Sequence, residues 1–373
     1  MNPQTVFCPN IDCPARGQRD QGNIEVHSQV EKRYRCRVCG KTFSATKGSL
    51  FYRLKTESVT VMLVLTLLAY GCPPVAIVKA FGFDERTIRK WWRRAGEHCE
   101  ALHEHMVGQS QLDLVHVQAD EIKVKTQGSS VWMALAMMVS TRLWLGGVVS
   151  EQRDKHLIRQ LAQKVRQVAL CRPLLLAVDG LSSYVDAFRR AFRSPLPRRG
   201  RAGRPRLIAW QHIAIVQVFK RRSPRGLTIE RRIVQAGKEL VEGLLAQSQG
   251  GMCINTAYIE RLNATFRQRV SALGRRTRHL ARQTETLTAG MYIVGCVYNL
   301  CAHHKSLRIR LWVGSRGFRW VQRTPAMAAG LTDHQWRMDE LWSYRVPPPP
   351  WTPPKRRDRP SKALRRTIEM WCT

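Results

Sequence analysis

The sequence predicts an α/β chain of several domains, and three observations carry that prediction. Among 373 residues, 62 are Lys or Arg against 27 Asp or Glu, a formal charge of +35, while 44% are hydrophobic. Two apolar runs in the middle of the chain, 112–119 and 173–178, each lead into an aspartate, Asp120 and Asp179. Two cysteine pairs, Cys8 with Cys13 and Cys36 with Cys39, lie near the start. The length allows two or three domains with sizeable cores. The apolar share excludes a disordered or histone-like tail. The charge calls for a polyanionic partner, because each neutralised phosphate releases counterions. Double-stranded DNA fits better than a membrane surface, since the basic residues gather around folded motifs and not along one amphipathic helix. The most hydrophobic stretch, 59–70, is too short to span a bilayer, and the first residues lack a signal-peptide pattern. The expectation is a prokaryotic cytoplasmic, nucleoid-associated chain with no membrane partner, whose 11 cysteines are thiols or metal ligands.

Taken in order, residues 1–55 read as a zinc ribbon. Two short-spaced thiolate pairs, separated by 22 residues, can close a tetrahedral S₄ site around one structural Zn²⁺. Tyr34-Arg35-Cys36-Arg37-Val38-Cys39-Gly40-Lys41-Thr42-Phe43 has the pattern of a hairpin knuckle. Four thiolates leave no coordination position open for chemistry. Residues 56–106 read as a helix-turn-helix: an apolar helix over 58–70, a second over 75–81, a turn at Gly82, and a third from 85 to about 95, N-capped by Asp84. Ile88, Trp91, Trp92 and Ala95 should face inward, leaving Arg86, Lys90, Arg93 and Arg94 for DNA. A helical hairpin with a solvated basic face is the alternative.

From residue 112 the pattern turns to strands at 112–119, 131–140 and 143–150, then a helix over 154–170, a buried strand at 174–178 and a helix over 182–192. This order is the first half of an RNase H-like (retroviral-integrase-like) catalytic domain, assigned to residues 107–305. It places Asp120 and Asp179 at neighbouring strand ends. Alternation along the strand selects Asp120 over Glu121, with Glu121 sharing the work as the alternative. Asp113, Asp154 and Asp186 are read as surface or capping residues. A helix over 256–273 buries Ile259, Leu262, Phe266, Val270 and Leu273, and carries Glu260, Asn263 and Arg267 on an adjacent face. Three carboxylates, Asp120, Asp179 and Glu260, can hold a pair of Mg²⁺ ions, or Mn²⁺. Asn263 and Arg267 would meet phosphate, and Arg275, Arg276 and Arg278 extend the positive surface. Residues 194–250 form a basic insert. Residues 306–373 form a basic, Pro-rich tail, extended from Pro347, whose Trp312, Trp320, Trp336 and Trp342 have no role beyond packing. Cys296 and Cys301, five apart on a helix, do not share a face, so no second zinc site is expected with His303 and His304.

The knuckle, Ala119-Asp120-Glu121-Ile122, Val178-Asp179-Gly180, Asn255-Thr256 before Ile259-Glu260-Arg261-Leu262-Asn263, Arg275-Arg276-Thr277-Arg278 and the run 298–307 together resemble a known family. It is the zinc-ribbon group of DDE transposases of bacterial insertion sequences, related to insertion sequence one, and the likeness covers roughly residues 8 to 310. The resemblance implies a protein that cleaves DNA at terminal inverted repeats and joins the freed 3′-hydroxyls to target DNA. It makes Asp120, Asp179 and Glu260 the metal-binding triad, and implies a dimer or larger synaptic assembly. The 81 positions from Asp179 to Glu260 exceed the spacing of compact members, which leaves Glu230, Glu239 and Glu242 as competitors for the third carboxylate. Two rival functions remain open: a non-catalytic DNA-binding regulator, and a structure-selective nuclease of the same fold.

Overall fold

Alternating and fully apolar runs in the middle of the chain pair into one sheet, and the helical stretches between them pack on its faces. A computed structural model describes residues 1–126, 130–196, 203–224, 226–251, 253–274, 283–314, 317–351, 362 and 366. The chain forms two compact units, Met1–Arg53 with Arg345–Thr373, and Leu54–Tyr344.

In the first unit, β1 (Ile24–Ser28), β2 (Arg33–Cys36) and β3 (Thr42–Ser44) form an antiparallel sheet. Its buried cluster is only eight residues, among them Val6, Ile24, Tyr34 and Phe43, and three of the eight are cysteines. A core that small needs a further staple. The segment from Arg345 also belongs here. Arg345 donates to the Ala45 carbonyl and Arg19 donates to that of Arg345. Arg16 donates to the carbonyls of Pro349 (2.7 Å) and Pro350 (2.9 Å). The first residues of the Pro-rich stretch are therefore held against the ribbon and are not a free arm.

The second unit begins with α1 (Ser58–Ala69), α2 (Pro74–Phe81) and α3 (Glu85–His103). Gly82 takes the left-handed φ of +69° that ends α2, and Asp84 caps α3 by accepting from the Arg86 amide at 2.7 Å. Sequence reasoning stopped α3 near Ala95, but it runs eight residues further. Ile88, Trp91, Ala95, Cys99 and Leu102 keep one heptad-spaced stripe buried.

The sheet follows: β4 (His116–Lys125), β5 (Ser130–Met138), β6 (Trp144–Ser150), α4 (Lys155–Val168), β7 (Leu174–Asp179) and α5 (Ser182–Ala191). Then come a small pair, β8 (Arg193–Pro195) and β9 (Leu207–Ala209), the hairpin of β10 (Ile213–Ser223) and β11 (Gly226–Gln235), and α6 (Lys238–Gln247). The sheet order is β11-β10-β7-β4-β5-β6. β4, β7 and β10 run parallel, and β5, β6 and β11 join by antiparallel pairs, so the sheet is mixed. The first strand is displaced from its expected position. Leu112 makes only an isolated bridge to Ala169, and β4 continues through Asp120 to Lys125. Much of the expected insert is part of the fold, because β10 is a full sheet strand and Val241, Leu244 and Leu245 of α6 pack on Leu175, Ala177, Ala214 and Val216. Residues 197–202 of it lie outside the described residues.

The chain then runs through α7 (Ala257–Arg269), α8 (Thr284–Cys296), the hairpin of β12 (Ile309–Trp312) and β13 (Phe318–Val321), α9 (Pro325–Ala328) and α10 (Met338–Ser343). The described residues of 306–344 are thus folded. Trp336 and Trp342 are buried, whereas Trp312 and Trp320 are exposed. The sequence places Cys296 on a helix but predicts none over residues 284–295. Apolar on nearly every side, α8 has no amphipathic stripe to read, because it is enclosed by α3 and the sheet. Its glycines permit the close packing. A Cβ on Gly295 would lie 2.1 Å from Trp144 Cζ3, and one on Gly96 would lie 2.5 Å from Ala289 Cα. Gly295→Ala should therefore lower unfolding free energy by about 3 kcal/mol, despite alanine's better helix propensity, measurable by urea denaturation.

Candidate functional site

Asp120 and Asp179 meet because of strand register. The parallel ladder of β4 and β7 ends at Ala119 opposite Val178, and each strand carries an aspartate at the next position. Alternation turns His116, Gln118 and Asp120 toward α6 and α7, where each finds a partner. His116 Nδ1 lies 3.1 Å from Ser248 Oγ. Gln118 Oε1 accepts from the amides of Tyr258 (3.1 Å) and Ile259 (3.0 Å), which satisfies the first turn of α7. Asn263 Nδ2 donates to Asp120 Oδ2 at 2.8 Å. One polar residue of β4 thus fixes the helix that touches the carboxylate two residues on.

Glu121 points the other way, toward α5, as alternation requires. Its side chain is 2% exposed, accepts from Tyr184 Oη at 2.7 Å and pairs with Arg153. The same guanidinium lies 3.5 Å from Asp179 Oδ2. Yet carboxylate oxygens of Asp120, Glu121 and Asp179 all lie within 4.8 Å of one another. Alternation is obeyed, but the longer glutamate side chain reaches the strand end from the opposite face. The arrangement brings the alternative, Glu121, into the cluster beside Asp120.

Crowding of the acids shows in their protonation. Burial first, then Glu121 and Asp179, raises the Asp120 carboxyl to about 7, and Glu260 adds to the same push. Burial and Glu121 also raise Asp179, against a bond from the Leu181 amide and the charge of Arg153.

Glu260, in the first turn of α7, stands outside the three-oxygen cluster. It pairs with Lys220 of β10 and accepts from Thr256 Oγ1 at 2.7 Å. Asn263, expected to meet phosphate, is buried and holds Asp120; its Oδ1 has no partner. Arg267 is half-buried on the same helix. Arg275, Arg276 and Arg278 lie outside the described residues. On α3, Arg86, Lys90 and Arg93 are exposed, Arg94 is half-buried, and Arg93 sits 3.7 Å from Glu97. Asp154 caps α4 through the Leu157 amide at 2.9 Å, and Asp186 pairs with Arg190, which matches their reading as capping and surface residues.

Sequence reasoning missed Arg153, Tyr184 and Gln118. Only Gln118 left a signal, a lone amide two residues before Asp120 in an apolar run. Arg153 and Tyr184 come from separate elements with no spacing to connect them.

The four N-terminal cysteines form the second cluster, all Sγ atoms within 4.8 Å. Cys8 and Cys39 are 3.7 Å apart, and Cys13 and Cys36 are 3.8 Å apart. These separations exclude disulfides and match the edge, about 3.8 Å, of a tetrahedron with 2.3 Å metal–sulfur bonds. Although burial opposes it, the Lys41 amide and the Asn10 side chain bring the Cys39 thiol down to about 7. The set is compatible with one structural zinc.

Among the described residues no helix is long and apolar enough to cross a membrane. Compared with protein-family models and with curated proteins, the chain matches none.

Proposed function

We propose that this protein is a DNA transposase of the DDE type, which binds terminal inverted repeats, cleaves at the element ends and transfers the 3′-hydroxyl ends to target DNA. The observation that carries it is the convergence of Asp120, Glu121 and Asp179 at the end of a parallel strand pair. Support also comes from topology. The order β6-β5-β4-β7-β10, with β5 alone antiparallel among those five, is the arrangement expected of an RNase H-like domain. The net charge of +35 supplies the affinity for a polyanion.

The donor set fits hard divalent cations: every oxygen is a carboxylate, and the mutual repulsion that raises Asp120 is what a cation relieves. Asp120, Asp179 and Glu121 would hold Mg²⁺, with Glu260 of α7 completing the set. Bound there, such ions would supply activation of the attacking oxygen and stabilisation of the leaving one. Asn263 keeps Asp120 oriented through its 2.8 Å bond, and Arg153 ties Glu121 to Asp179. Arg86, Lys90 and Arg93 of α3 contact the repeats, because phosphates around the cut carry little sequence information. Cys8, Cys13, Cys36 and Cys39 would hold one zinc, which would shape the first unit and leave no coordination position open for chemistry. Both element ends must be paired, so the active species is a dimer or larger.

The test is a strand-transfer assay with Mg²⁺ or Mn²⁺, using duplexes that carry the sequences flanking the gene, where the proposal expects inverted repeats. The expected product is the end joined to target DNA. Cutting without joining would favour a structure-selective nuclease, and binding without cutting a regulator.

A further inference from the structure

The β12–β13 hairpin lies outside the machinery described so far. Its register is Arg310 opposite Trp320 and Trp312 opposite Phe318, so these four side chains share one face. Trp312 is 74%, Phe318 43% and Trp320 42% exposed. Single exposed apolar residues need no explanation, but a contiguous aromatic patch marks a binding surface. Two guanidinium groups already lie on these rings: Arg310 is 3.5 Å from the Phe318 centroid, and Arg308 is 4.1 Å from that of Trp320. Phe318 and Trp320 meet edge to face at 6.0 Å. Residues 305–323 include six Lys or Arg and no acid.

We propose that this face binds single-stranded DNA, stacking unpaired bases on Trp312, Phe318 and Trp320 while arginines meet the backbone. The chemistry distinguishes that occupant from others. A protein-binding patch needs apolar area but not a cation over two of its three rings with no acid in the segment. Duplex DNA has its base faces covered, so the aromatic rings would find nothing to stack on. Unpaired bases offer flat π-faces between anionic phosphates, which is the complement of alternating rings and guanidiniums. The inference goes beyond the transposase reading and stands without it, since a protein that never cut DNA could carry the same surface.

The experiment measures fluorescence anisotropy of labelled oligothymidylate, about 30 nucleotides long, and of a duplex of equal length, with full-length protein in buffer without added Mg²⁺ or Mn²⁺. Because no cleavage occurs there, failure of the carboxylate chemistry cannot affect the result. W312A/W320A should weaken oligothymidylate binding by about tenfold or more while duplex affinity stays within about twofold. W312F/W320F should recover most of the loss, since a ring remains to stack. Both residues are exposed, and an unchanged thermal midpoint would show the variants folded. Equal loss on single-stranded and duplex DNA, or no loss on either, overturns the proposal. A variant that turns from dimer to monomer with single-strand affinity unchanged assigns the face to a second copy of the chain, and overturns it too.

Discussion

Asp120→Asn should give a protein that is more stable than the wild type without metal at pH 8, yet unable to join DNA. The carboxyl titrates at about 7 in the fold, against 3.8 for the free group, with burial the first cause and Glu121 and Asp179 next. The folded state therefore binds the proton more tightly than the unfolded one. Below about pH 4 both states are protonated and the group costs nothing; as pH rises through the window from 4 to 7, stability falls, and the full penalty is present above 7. Removing the charge should restore about 1–2 kcal/mol at pH 8 after a discount for the coupled neighbours, a rise of a few degrees in thermal midpoint. The gain should vanish at pH 4. Thermal scans without added divalent cation at both values check this. Mg²⁺ or Mn²⁺ should raise the midpoint of the wild type at pH 8 but not that of the variant. Joining should fall by more than about 10³-fold with gel-shift binding unchanged. A variant destabilised at pH 8 would mean that Asp120 is a structural residue.

The second large effect concerns the cysteines. Extracting the metal from Cys8, Cys13, Cys36 and Cys39 should unfold residues 1–53, because eight buried residues cannot hold that unit alone. Apparent binding energies of about 10–16 kcal/mol for structural zinc are folding energies in such units. After chelation, trypsin should cut within residues 1–53 while Leu54–Tyr344, with its own sheet, keeps its thermal transition. Cys36→Ser should behave the same way and release about one equivalent of zinc less on denaturation. Protease resistance of residues 1–53 without metal would rule out a structural ion.

The sequence disclosed most of the sheet because its signals are local. Leu174–Asp179 is apolar on both faces, and Asp84 and Gly82 mark the start of α3 and the end of α2 in the expected way. What stayed hidden depended on packing. β4 begins four residues later than its apolar run, since residues 112–115 lead in through a bridge to Ala169 and not through a ladder. α8 gave no stripe because solvent touches little of it. At the acidic site, Asp120 and Asp179 were legible as acids that follow apolar runs, but β4 continues past Asp120 to Lys125, and Glu121 stood only as the alternative. Period-two alternation fixes the side from which a side chain leaves the strand, but not how far its end travels around the edge of the sheet. Glu260 lies on a helix as expected but outside the three-carboxylate cluster, with Lys220 as a partner that no spacing announces.

Held by Arg16 and Arg19, the stretch after Tyr344 is a structural component of the cysteine-bearing unit although it lies about 300 residues downstream of it. Shortening the polypeptide there would not be a harmless trim, because the guanidinium groups beneath it would lose their carbonyl acceptors and Ala45 its donor. Assembly of the unit must also await synthesis of the chain as far as Pro350, so a nascent or prematurely terminated product would carry an incomplete version of it.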